Sequence, residues 1–174
     1  MKKYLAREDF ELVTLLKSTD VINRIAENTG PKKTFRLALP GVKHDKPYEG
    51  VVDAESFKIS RVINYKNSFL PVISGTVSGS GKVTAVTIKM RMLLPVRIFM
   101  FIWLGGVGLA CIFITPFILS GDSASRKQGF DPMALIPFAM FVFGYLLTYL
   151  AFKFESRKSK AFLKDLLNAQ EGSD

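Results

Sequence analysis

The chain has one cysteine, one histidine and one tryptophan among 174 residues. A single cysteine, Cys111, excludes an internal disulfide and fits a reducing or cysteine-indifferent setting. Cys111 and His44 together cannot complete a zinc site within one chain. Set in an apolar run, Cys111 reads as a small apolar residue. Charge is also missing, but only locally. No Asp, Glu, Lys, Arg or His lies between Ile98 and Ser120, or between Pro132 and Phe152. Both stretches therefore lack the intramembrane acids and bases that mark ion or proton paths. The opening residues, MKKYLAREDFELV, continue in charge instead of an apolar run, so no cleavable signal peptide is expected.

What is present is apolar and basic at once: 48% of residues are hydrophobic and the net charge is +9. The two are segregated. The uncharged runs IFMFIWLGGVGLACIFITPFILS and PMALIPFAMFVFGYLLTYLAF would each span roughly 30–35 Å as helices, the thickness of a bilayer core. The polar residues upstream are too few to bury two such helices on every side. Basic residues flank the runs unevenly. Lys89, Arg91 and Arg97 precede the first, and Lys153, Arg157, Lys158, Lys160 and Lys164 follow the second. The connecting GDSASRKQGFD holds only Arg126 and Lys127, against Asp122 and Asp131. The bias predicts both termini in the cytoplasm.

Residues 7–28 read as a helix broken in the middle, with Ser18, Thr19 or Asp20 as a second N-cap and Gly30-Pro31 as the stop. Strand texture follows: TFRLAL alternates, Phe57 and Ile59 oppose Lys58 and Ser60, and Val86, Ile88 and Met90 oppose Thr87, Lys89 and Arg91. A turn is expected at Asp53–Ser56, and Pro71 interrupts a strand at an edge or bulge. In the tail, Phe162, Leu163, Leu166 and Leu167 form one stripe opposite Lys160 and Lys164. The expected fold is an α+β membrane protein. It has an N-terminal helical segment (1–31), a cytosolic antiparallel β domain (32–94), a first transmembrane helix (95–120) and an extracytoplasmic loop (121–131). A second transmembrane helix (132–153) and a cytosolic amphipathic tail (154–174) complete it.

The stretch GTVSGSGKVT, residues 75–84, invites a phosphate-loop reading. Aligned on Gly81-Lys82, however, the motif's first glycine falls on Thr76 and its Ser/Thr on Val83. The β-branched VTAVTIK that follows is a poor helix start, so a hairpin turn at Gly79-Ser80-Gly81 is expected. Asp45, Glu49, Asp53 and Glu55 lack calcium-loop spacing and read as solvated turns. In the first span Gly105 with Gly108, and Gly106 with Ala110, permit close helix contact, within the hairpin near Gly144 or between copies.

The N-terminal part carries the positive charge, with 17 basic residues against nine acidic in residues 1–97. Lys58, Arg61, Lys66, Lys82, Lys89, Arg91 and Arg97 are candidate contacts for an anion or for lipid head groups. No nucleic-acid-binding pattern accompanies them, and nucleic acid is not an expected partner.

The segments FKISRVINYKNSFLPVISGTV and TIKMRM, followed by FMFIW, resemble a group of small bacterial membrane proteins without assigned activity. These pair a cytosolic β-rich domain with a two-helix hairpin. The resemblance runs from Phe57 to Trp103 and implies a bacterial inner membrane and no reaction. The expected function is non-enzymatic, without catalytic, metal or cofactor residues. The basic β domain would bind a protein partner or the membrane surface, and the hairpin would anchor the chain and support homo-oligomerisation. Two alternatives stay open: a ligand-gated, membrane-perturbing effector that oligomerises through its helices, and an accessory subunit of a larger membrane complex.

Overall fold

A computed structural model of the chain describes residues 3–4, 7–31, 46–63, 67–120 and 132–172. The expected strand at TFRLAL and the extracytoplasmic loop lie outside these residues. The chain divides into a sheet unit, residues 1–93 with 151–174, and a helical unit, residues 94–150.

The sheet unit contains β1 (Lys3–Tyr4), β2 (Arg7–Thr14), α1 (Ser18–Glu27), β3 (Thr29–Pro31), β4 (Tyr48–Val52), β5 (Ser56–Arg61), β6 (Pro71–Ser80) and β7 (Val83–Met92). Seven strands run in the order β1-β2-β7-β6-β5-β4-β3, and a short β8 (Gln170–Glu171) pairs with β2. The sheet is mixed, because β3 and β4 are parallel while the other pairs are antiparallel. The wholly antiparallel expectation is corrected on that point.

The expected helix over the first part of residues 7–28 is also corrected. Arg7–Thr14 is a strand whose alternate residues Glu8, Phe10, Leu12 and Thr14 are buried. The alternation is concealed in the sequence because one core-facing position is a glutamate, while Leu15, just past the strand, is exposed. The helix proper starts at Ser18 with Lys17 as its N-cap and no side-chain cap, so none of the three expected N-caps serves. It presents Val21 and Ile25 to the core. Beyond it, the Thr29 hydroxyl donates to the Ile25 carbonyl at 2.7 Å and the chain turns directly into β3. Pro71 opens β6 instead of interrupting it, at a position where the missing N–H costs least.

One face of the sheet carries Leu12, Phe57, Ile59, Ile73, Val86, Ile88 and Met90, all buried. Each such side chain contributes about 1.5–3 kcal/mol when removed from water. That face is covered by α1 and by residues 151–167 of α3 (Ile136–Leu167). The Tyr48 and Phe162 rings lie 4.8 Å apart, and Leu163 and Leu167 are fully buried. The expected amphipathic tail is thus the continuation of the second long helix, seated on the sheet. Its end is held at several points. The Thr14 hydroxyl donates to the Leu167 carbonyl at 2.7 Å, and the Arg24 guanidinium donates to the Leu166 carbonyl at 2.9 Å. Asn168 adopts a left-handed conformation (φ 44°) that ends the helix and releases the chain into β8.

In the helical unit α2 (Leu94–Ser120) is followed, among the described residues, by a 3-10 turn (Pro132–Leu135) and the first half of α3. Both long helices are apolar enough to cross a membrane. Their few polar side chains bond inward: Thr115 donates to the Cys111 carbonyl at 2.7 Å and Thr148 to the Gly144 carbonyl at 2.8 Å. Such back-bonding satisfies both threonine hydroxyls within their own helices.

Candidate functional site

The glycine-rich segment that suggested a phosphate loop is the β6–β7 hairpin. Ser80 pairs with Val83 across a two-residue turn, and Gly81 takes φ +62°. That left-handed conformation is what the turn requires of glycine. A strand follows, not a helix, so no converging amides await a phosphate here. Lys82 stands exposed at the hairpin tip. The turn at Asp53–Ser56 is the β4–β5 hairpin, closed by the Asp53 N–H donating to the Ser56 carbonyl at 2.7 Å.

The strand registers determine which candidate cations share a surface. Lys58 pairs with Ser74, and Ser74 pairs with Lys89, so the three form one row across β5, β6 and β7. The next row joins Ser60, Val72 and Arg91, and a third joins Ser56, Thr76 and Thr87. All lie on the face opposite the core. Lys58, Lys89 and Arg91 are exposed, and none forms an ion pair among the described residues. Over these three central strands the face offers cations, hydroxyls and a few small apolar side chains, with no carboxylate and no aromatic ring. Acids stand only on the flanking strands: Asp9, bonded to Arg7 at 2.8 Å, with Glu11 on β2 and Glu49 on β4.

The remaining candidates separate. Arg61 points to the covered face, where it donates to Glu155 of α3 at 2.8 Å. Arg97 lies in the first turns of α2, in the helical unit. Lys66 lies outside the described residues. Among the described residues no three of His, Cys, Asp and Glu gather in one place. Taken with the fold, these positions leave nothing familiar to compare against. No family model, curated protein or solved structure matches this chain.

A second polar feature, between α3 and the sheet, escapes sequence reasoning. Within residues 151–167 of α3, Phe152, Glu155, Ser156, Ser159, Leu163 and Leu167 form the buried stripe, and half of it is polar. The Ser156 hydroxyl donates to the Glu8 carboxylate at 2.5 Å, and the Lys153 ammonium lies 3.2 Å from the same oxygen. Burial alone would push the Glu8 carboxyl up. The Ser156 and Lys153 bonds, with the charges of Lys153 and Lys160, outweigh it and hold the group below its ordinary range. Burial pushes the Tyr48 phenol up. Lys160 pairs with Glu171 and lies 4.5 Å above the Phe10 ring, tying helix, edge strand and core together. These contacts orient α3 on the sheet; every cation near Glu8 and Glu155 is already engaged.

In the helical unit the small residues divide. Gly108 faces the Phe141 ring, where an added Cβ would come within 3.3 Å, and Gly144 lies against Leu104 and Trp103. Gly105 and Gly106 face open space, and Ala110 is half-buried. An apolar groove of about 650 Å³, lined by Leu104, Gly105, Gly108, Phe138 and Phe141 among others, runs between the two helices beside Cys111.

Proposed function

We propose that this chain is a membrane-anchored, non-enzymatic binding module. Its helical unit enters the bilayer, and its sheet unit engages a protein partner or the membrane surface through the open cationic face. The observation that carries the anchoring is the exposure of large apolar side chains around both helices: Phe101 is 81% exposed, Phe113 70% and Phe143 68%. In water such surface would far exceed what a monomeric protein tolerates; in lipid it is the ordinary exterior of a helix. We assign the chain to a bacterial inner membrane with both termini cytoplasmic, supported by the eight-to-two distribution of flanking cations.

The native cysteine supplies the test. In intact membranes Cys111 should resist an impermeant maleimide and react only once the bilayer is dissolved. A phosphatase active only outside the cytoplasm should work when fused after Ser125. Rapid labelling of Cys111 in sealed membranes would sink the anchoring, and a silent fusion would reverse the topology.

The unoccupied glycine edge supports self-association of the anchor and favours one second reading, an effector that assembles through its helices and perturbs the bilayer. If so, overexpression admits a normally excluded dye, and Gly106→Leu, which adds bulk where no neighbour stands, abolishes entry without altering insertion. Harmless expression of the unaltered chain leaves the anchored module standing alone.

A further inference from the structure

We draw no further inference here: the strongest candidate, the apolar groove between α2 and α3 lined by Leu104, Gly105, Gly108, Phe138 and Phe141, carries nothing because nothing in the structure shows what covers it.

Discussion

Alanine at position 50 should cost the sheet unit about 3 kcal/mol or more, the upper end of what overpacking does. Gly50 pairs with Ile59 in the β4–β5 ladder, and its backbone approaches that strand closely. A Cβ built there would lie 2.1 Å from the Lys58 carbonyl oxygen and 2.8 Å from the Ile59 Cα. Both obstacles are backbone, so no rotamer change relieves them and the ladder itself must part. The damage should reach β3, which pairs only with β4 among the described strands. Gly81→Ala is the control. Nothing lies within 4 Å of its added Cβ, and the only penalty is the left-handed conformation, about 1–2 kcal/mol. Unfolding of the detergent-solubilised chain by urea, followed by circular dichroism, should place Gly50→Ala well below Gly81→Ala. The reverse order would mean that β4 and β5 do not pair in this register.

Glu8→Ala should destabilise the sheet unit by about 2–4 kcal/mol at neutral pH, since it removes charge-assisted bonds and strands a partly buried ammonium. The carboxylate is nearly buried and Lys153 is 18% exposed, so the lysine recovers some hydration and the cost stays below that of a fully buried pair. The pH dependence has a definite sign. Because Glu8 is held below the ordinary glutamate range when folded, its contribution is fully present above the unfolded value. It is lost as pH falls through the depressed one. The gap in stability between the parent chain and Glu8→Gln should therefore be widest near neutrality and close as the solution is taken to about pH 3. A gap that widens on acidification would mean that the folded state favours the protonated acid.

Glu8 also explains what the sequence conceals. The apolar runs are legible because composition alone decides them, and β7 is legible because Thr84 to Met92 alternates cleanly between covered and open sides. In β2 the same period of two is masked by a charged side chain at a core position, a placement that makes sense only once Ser156 and Lys153 are brought to it from 145 or more residues away. The buried stripe of α3 is hidden for the matching reason. Serines and a glutamate fill places where a reader looks for leucine, so the sequence pattern adds Phe162 and Leu166 to the stripe; the structure leaves both only half-buried. The cationic face is a property of register. Lys58 and Lys89 stand 31 positions apart, and only their common pairing with Ser74 makes them neighbours. Of the seven candidate cations, the pleat puts Lys58, Lys89 and Arg91 on one surface and turns Arg61 to the other.

The placement of β8 has a consequence for biogenesis. Leu12 pairs with Glu171, and the Gly172 N–H donates to the Glu11 carbonyl at 3.1 Å. Strand β2 is therefore completed by residues about 160 positions further along the chain. Between Leu93 and Glu171 translation needs roughly 4–16 s at usual rates. Throughout that interval the buried face of β2, β7 and β5 has no helix α3 to cover it, and both apolar helices must be made first. The nascent sheet is thus exposed for as long as the two apolar helices are being made, a window in which a holding chaperone has apolar surface to grip. Closure of the sheet can come only after both long helices have been made, so synthesis of the helical unit precedes final folding of the sheet unit.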